Sequence, residues 1–462
     1  MPKFSSARTP TRRPAPINPL DFSIAHALCR IATAVLGEGS WLDRELRLTL
    51  KENHWHPQQR TLAVKAATAW IRHARLIDAL AEALPKDTSS RWQRGLAVLP
   101  IVFPEFVIPG LPFISPGVKT SLINRLKELR GTRAIRESVP EWLDALGEKA
   151  YGPRWDALLK ALNQSAPLYL RVNRHKASRD LVAGSLASEQ IDADPVDGTE
   201  DALRVYEHAA IFESTAFKEG QIEIQDIGSQ AVAPFVLPQP GQRILDACAG
   251  QGGKTIHLAT FMNNRGKIIA SDSSEARLKA LKIRLRRASV DVVEIRADLH
   301  SVSPDRFRNK FDRVLLDVPC TGTGALRRNP GLKWSLDAAT LERLVVEQAR
   351  LLRRYAQAVK PGGYLVYATC SILPQENTEQ IQKFLADSKG AYELEAEQQL
   401  APDTHPGDGF YMARMKRVAP IAEKPAKPAP VSTESTSHPV ESPADSAALP
   451  TDAALPSANP TE

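Results

Sequence analysis

Residues 243–255 read RILDACAGQGGKT, a short apolar strand running into a glycine turn and then into the start of a helix. Glycine lets a backbone approach a ligand closely, and amide groups at a helix N-terminus can point at it. The spacing is neither that of the phosphate-binding GxxxxGK[ST] loop nor a clean GxGxxG. Outward from this turn the same rhythm repeats. Strands are expected in RILDAC, KIIASD, VVEIRAD, DRVLLDV and YLVYATC, and helices from near Lys254, Ser274, Leu336 and Glu376. Parallel strands need crossover connections, so this alternation predicts a doubly wound, mostly parallel α/β sheet of the Rossmann-like kind, with helices on both faces. Ligands of such folds sit at the carboxyl ends of the strands. Asp272 ends the second strand, about 20 residues past the turn, where a carboxylate can accept both ribose hydroxyls of a nucleoside. Asp298 ends the third, where it can receive an adenine amino group. Each aspartate alone also reads as a helix cap. In series behind the turn, they predict a cofactor that carries a nucleoside.

The fourth strand ends DVPCTGTG, putting Asp317 and Cys320 at the same edge, and the fifth ends YATCSILPQEN, putting Cys370 there. A cysteine at a strand end is ordinarily a small buried hydrophobe. Two of them beside a nucleoside site point to chemistry. C5 of cytosine is a poor nucleophile until a thiolate adds to C6, and covalent addition divides one hard step into easier ones. Asp317 can supply a proton to N3 during that addition if its site raises the carboxyl pKa. A nearby base, for which Cys320 is placed, is useful when the C5 hydrogen and the first thiol leave. An attacking thiol, with an ordinary pKa of about 8.5, also needs an electropositive neighbour. Lys254 is one candidate; Arg327 and Arg328 are others, equally able to grip phosphates. The target base must be unstacked to enter such a pocket, so single strands, loops or a flipped base are the expected substrates.

The rest of the 462 residues implies two or three domains. Residues 1–19 read as a disordered basic arm, with arginines among prolines. Residues 20–135 read as a helical domain, including one long helix from Gln58 to Leu84 with Pro57 in its first turn. Within it, the prolines of VLPIVFPEFVIPGLPFISPGV suggest a packed connector rather than a long helix. Residues 136–235 read as a small α+β module, with helix from Pro140 to Leu162 and strands in LYLRVNR, ALRVYE and QIEIQDI. Residues 236–417 hold the α/β unit. Residues 418–462 have no aromatics and read as a disordered tail. That tail carries −4 of a net +7, leaving +11 on the remainder, a balance that suits a polyanionic partner or simply a soluble surface. The basic helix after Asp272 places Leu278, Leu281 and Leu285 on one face and its charges elsewhere. No apolar run approaches the length of a membrane helix, no secretory leader is legible, and the four cysteines have neither zinc nor disulfide spacing. A reducing, cytoplasmic setting without metal or membrane is expected, and a monomer is favoured.

Taken together, DxPC at Asp317–Cys320, TCS with a following PxEN at Thr369–Asn377, and DGF at Asp408–Phe410 make the chain resemble the RNA cytosine-C5 methyltransferases, among them the bacterial 16S ribosomal RNA enzymes of the RsmB type. The resemblance extends upstream through PEWLDALGEKAYGPRW and APLYLRVNRHKASRD, which look like that family's RNA-binding subdomain. It implies a class I methyltransferase fold and S-adenosyl-L-methionine as cofactor. It further implies Cys370 as nucleophile and Cys320 as the thiol that assists release, beside the catalytic roles that the chemistry above gives Asp317 and Lys254. Cofactor contacts carried over are Cys248, Ala249, Gly250, Gln251, Gly252, Gly253, Lys254, Asp272, Asp298 and Asp317, with 16S rRNA as partner. The family's first motif usually reads CAAPGGK, so Gly250 and Gln251 depart from it and imply a looser loop. The helical domain is similar to the all-helical domain of such enzymes, which is like the antitermination factor NusB, or else is an unrelated extension. Alternatives left open are a transfer RNA substrate, a DNA cytosine methyltransferase with its nucleophile on the fourth strand, a non-catalytic RNA-binding assembly factor, and a dinucleotide oxidoreductase.

Overall fold

Apolar residues three and four apart build the N-terminal helices, and what interrupts them sets their lengths. A computed structural model describes residues 22–84, 90–106, 114–206 and 211–421. The expected arm at 1–19 and the tail from 422 onward lie outside the described residues. Helices Phe22–Ala32, Leu42–Glu52, Pro57–Arg72, Ala74–Ala81, Arg91–Val102 and Pro116–Leu129 share one core around Leu28, Trp70, Ile77 and Leu99. The long helix expected from Gln58 to Leu84 is broken at His73, whose ring leaves the helical line to pack on Phe103, centroids 5.1 Å apart. Helix Arg91–Val102 runs through Pro100 into the stretch expected to be a connector. A proline in the last turn forfeits only one hydrogen bond, which the apolar packing of that helix outweighs. The helix expected over Pro140 to Leu162 is two, Glu141–Tyr151 and Arg154–Leu162, divided at Gly152-Pro153 where Gly152 takes φ 53°.

Next comes a four-stranded antiparallel sheet: β1 (Leu168–Val172), β2 (Ala193–Pro195), β3 (Ala202–Val205) and β4 (Ile222–Ile224), in the order β2-β3-β1-β4. The chain then enters β5 (Arg243–Asp246), β6 (Lys267–Ala270), β7 (Val293–Ile295), β8 (Phe311–Asp317), β9 (Val359–Thr369), β10 (Tyr392–Leu400) and β11 (Phe410–Arg417). These form a seven-stranded sheet in the order β10-β11-β9-β8-β5-β6-β7, with β5 to β9 parallel and β10 and β11 antiparallel at one edge. Alternate residues feed opposite faces, as a pleated strand requires. Leu245, Val314 and Leu316 enter one core; Ile244, Leu315 and Val366 enter the other. The register puts Asp246 beside Ala270 and Leu315, and Asp317 beside Ala368, so the strand ends bearing the candidate residues lie at one edge. The predicted α/β class holds.

Candidate active site

The turn after β5 is stitched down at each end. Ala249 N donates to Ser271 O at 2.9 Å, Gly252 N to Ala249 O at 2.9 Å, and Gly250 N to Asp272 Oδ2 at 2.9 Å. Gly252 takes φ 86°, and a Cβ there would lie 2.0 Å from Leu281 Cδ1, so no other residue fits without displacing the helix Glu275–Ala288. Gln251 O accepts from Arg284 at 2.9 Å. The departure at Gly250 and Gln251 therefore leaves a tied loop rather than a loose one. Asp272, nearly buried, uses its other oxygen to accept from Ser274 N at 2.8 Å, capping as well as facing the turn.

Lys254, one residue into the following helix, reaches Asp317 at the end of β8, Nζ to Oδ2 2.7 Å, with Phe410 of the DGF run 5.3 Å from the ammonium. Burial works against the charged form, yet the adjoining Asp317 carboxylate outweighs it and holds the lysine above its ordinary pKa. Beside this pair the two thiols meet: Cys320 Sγ and Cys370 Sγ are 3.4 Å apart, both half-buried and free. The hydrogen bond to Cys370, burial and the nearby Glu376 push the Cys320 thiol well above its ordinary value. Cys320 is therefore a thiol that resists ionisation. Cys248 lines the turn as a thiol that burial also pushes well up, a group that stays neutral.

Other sequence candidates fall elsewhere. Asp298 sits half-exposed in the short helix Ala297–His300, both oxygens held by Arg296 at 2.9 and 2.8 Å, and an adenine would compete with that pairing. Arg327 and Arg328 do not present guanidiniums for phosphates. Each donates to Asp408 at 2.8 Å, and Arg328 also to Asp226 at 2.9 Å, so they lock the DGF run against the loop after Cys320. Gly324 of that loop approaches Gly409 so closely that a Cβ would meet its carbonyl oxygen at 2.3 Å. On the basic helix, Leu278, Leu281 and Leu285 are buried as expected, while Arg284 and Arg287 pair with Glu223 of β4 at 2.7 and 2.6 Å. Those two arginines dock β4 on the helix Glu275–Ala288; Lys279, Lys282 and Arg286 line an outer groove against β7.

The sequence reading missed Asp246, Ser271, Glu376 and Asn377 as site residues. Asp246 Oδ2 accepts from Thr255 Oγ1 at 2.7 Å, but its Oδ1 and Ser271 Oγ are buried beside the turn without a hydrogen-bond partner. Asp246 ends β5 as Asp317 ends β8, a parallel that could have flagged it. A buried polar atom without a partner calls for an explanation, and for two together beside the strand-end turn a bound ligand supplies one.

A parallel sheet whose first strand ends in a glycine turn, with aspartates on the strand ends beside it, is the architecture of class I S-adenosylmethionine-dependent methyltransferases. Within that class, residues 233–416 match the family described as 16S rRNA methyltransferase RsmB/F, and residues 139–211 match the ferredoxin-like domain of RsmF/B-like methyltransferases. A ribosomal RNA small subunit methyltransferase B of Pasteurella multocida (strain Pm70) is 35% identical over 295 residues, covering 60% of this chain and 65% of the relative. One of Vibrio vulnificus (strain YJ016) is 34% identical over 285 residues, covering 61% of this chain and 67% of the relative. The chain thus spans about two thirds of these relatives, just under that share of the first. The crystal structure of PH0851 shares the fold, with a TM-score of 0.71 at 24% identity over 85% of this chain and 99% of that one. The chain belongs to the RsmB/F family of 16S rRNA methyltransferases. S-adenosylmethionine, the cofactor of that class, fits the residues present: Asp246 Oδ1 and Ser271 Oγ are unpaired acceptors for its polar groups, and the glycine turn leaves room for its approach. Among the described residues there is no cluster suited to a metal ion and no helix long and apolar enough to cross a membrane.

Proposed function

We propose that the protein methylates C5 of a cytosine in RNA, with 16S ribosomal RNA as substrate, through a covalent bond between Cys370 Sγ and C6. The observation that carries this reading is the pair of sulfurs at 3.4 Å beside the Lys254–Asp317 ion pair. Cys370 is the sulfur that adds to C6, giving up its proton to water as the bond forms. Lys254 and Asp317 act together, rather than Asp317 alone, to deliver a proton to N3 as the ring accepts the electron pair. Bound at the glycine turn beside Asp246 and Ser271, S-adenosylmethionine would supply the electrophilic methyl group for C5. Cys320 then becomes the base. Its proton was held chiefly by the contact with Cys370, and once that sulfur is bonded to carbon the contact no longer opposes ionisation. Cys320 gives its own proton to water and its thiolate takes the C5 proton, the C6–S bond breaks with Cys370 leaving as thiolate, and N3 returns its proton to the Lys254–Asp317 pair. Free thiols fit a reducing compartment, the cytoplasm.

The test is a pair of variants on an RNA substrate. Cys370→Ala abolishes both methyl transfer and the covalent adduct, whereas Cys320→Ala leaves enzyme trapped on RNA. An adduct lost only in the Cys320 variant would move the nucleophile to the fourth strand, as in DNA cytosine methyltransferases, and overturn the assignment. Bisulfite sequencing of total RNA with and without the gene names the cytosine, and loss of a transfer RNA site instead of a 16S site would refute the substrate.

A further inference from the structure

Resting on that reading, the turn after Cys370 shows how the two thiols are held in register. Glu376, fully buried in the short turn Pro374–Glu376, accepts four hydrogen bonds. Thr321 gives it two, from N at 2.8 Å and Oγ1 at 2.5 Å; Ser371 Oγ gives one at 2.5 Å and Gln348 Nε2 one at 2.9 Å. The same Gln348 amide donates to Pro319 O at 2.9 Å. The residues on both sides of Cys320 are thus tied to the Glu376–Gln348 pair. Asn377, the next residue, does the corresponding thing for Cys370: its Oδ1 accepts from Thr369 Oγ1 at 2.6 Å and its Nδ2 donates to Ser371 O at 2.9 Å, again on both sides of the cysteine. Among the described residues, no lysine or arginine pairs with Glu376. A carboxylate buried without a cation is costly to desolvate, and a well-packed apolar side chain would be no less stable there, so what the charge contributes is geometry.

We infer that Glu376 is a positioning residue for Cys320 and Asn377 a positioning residue for Cys370, so that one dipeptide sets the spacing of the two sulfurs. The roles separate because only Glu376 holds Thr321 beside Cys320 and only Asn377 holds Thr369 and the Ser371 carbonyl beside Cys370, with Ser371, whose hydroxyl also reaches Glu376, the shared post. Glu376→Gln replaces an acceptor by a group that turns hydrogens toward its former donors, and frees the Cys320 loop. Asn377→Ala removes the brace of Cys370 alone.

The experiment follows adduct formation and decay in single turnovers of the full chain on substrate RNA, resolved on denaturing gels. Glu376→Gln forms the adduct and releases it about tenfold more slowly, so trapped enzyme accumulates as in Cys320→Ala. Asn377→Ala forms the adduct about tenfold more slowly and accumulates none. A general loosening would instead slow formation in both, and identical or reversed defects overturn the inference. The melting-temperature rise on adding S-adenosylhomocysteine checks that the cofactor site is intact; should Glu376→Gln not fold, Thr321→Val, which removes one donor, gives the milder form of its defect. If wild-type enzyme forms no adduct, the methylation reading fails by itself. The clamp is then read from iodoacetamide alkylation by mass spectrometry: Cys320 reacts faster in Glu376→Gln and Cys370 faster in Asn377→Ala, and equal rates refute it.

Discussion

Asp246 ends β5 with one carboxylate oxygen occupied by Thr255 and the other buried and unpaired, and burial pushes its carboxyl up to about 7. An unfolded aspartate titrates near 3.8, so between about 4 and 7 the folded apo protein holds the extra proton. Stability from this group is therefore greatest at low pH and falls as pH rises through that window. A ligand with a cationic amino group at Oδ1 favours the ionised form, so binding releases the proton below pH 7. The affinity for S-adenosylhomocysteine is expected to rise about tenfold per pH unit approaching 7 and then level. Titration calorimetry at several pH values tests it, and an equally steep rise in Asp246→Asn would exclude Asp246 as the linked group. At this scale the sequence was informative where a residue ends a strand: Asp272, Asp317, Cys320 and Cys370 come to one edge because the sheet's geometry demands it. Arg327 and Arg328 misled because their partners are Asp408 and Asp226, some 80 to 100 residues away in the chain. A pair of arginines reads as exposed charge until the distant carboxylates are known.

Elements were legible where an apolar period is strong and obscure where tertiary contacts replace it. The inner parallel strands β5, β6, β8 and β9 are largely buried on both faces and carry apolar runs, the mark of a covered parallel sheet. β10, YELEAEQQL, is an edge strand with buried residues only at its two ends, so no alternation announces it, and the antiparallel pair β10–β11 went unread. The break at His73 is likewise set by a ring contact rather than by a glycine or proline. The glycine turn is the opposite case, since its chemistry is local and its spacing decisive. Gly252 and Gly250 both take positive φ, but only at Gly252 does a side chain collide, with Leu281, while Gly250 faces open space. Gly252→Ala must pay the left-handed backbone penalty of about 1–2 kcal/mol and also shift the helix Glu275–Ala288. It should therefore lose at least about tenfold in S-adenosylhomocysteine affinity, whereas Gly250→Ala bears only the backbone term. Equal losses in the two variants would show that the helix contact has no part in shaping the cofactor turn.

Across the whole molecule, the loop that carries Cys320 does not end at the active site. It continues through Arg327 and Arg328 to Gly331–Trp334, and there it plugs into the N-terminal helices. Lys333, nearly fully buried, donates to Arg72 O at 2.8 Å, Glu137 O at 3.2 Å and Asn163 Oδ1 at 2.8 Å. Trp334 Nε1 donates to Ile71 O at 2.7 Å while its ring packs against the helical core, and Arg72 returns a hydrogen bond to Arg327 O at 2.9 Å. Surface contacts between domains ordinarily leave them free to unfold separately. A buried joint whose acceptors are satisfied across it by Lys333, Trp334 and Arg72 couples them instead, because opening it exposes unpaired carbonyls on both sides. Calorimetry of the wild-type protein is expected to show one transition for the helical and α/β parts together. Lys333→Met strands Arg72 O and Asn163 Oδ1, while Glu137 O keeps its bond from Asn163 Nδ2 at 2.7 Å; it should cost about 2–4 kcal/mol, dividing that transition in two as the helical part melts first. Two transitions already present in the wild type, or a single one kept by Lys333→Met at an unchanged temperature, would mean that the joint does not couple the helices to the loop that bears Cys320.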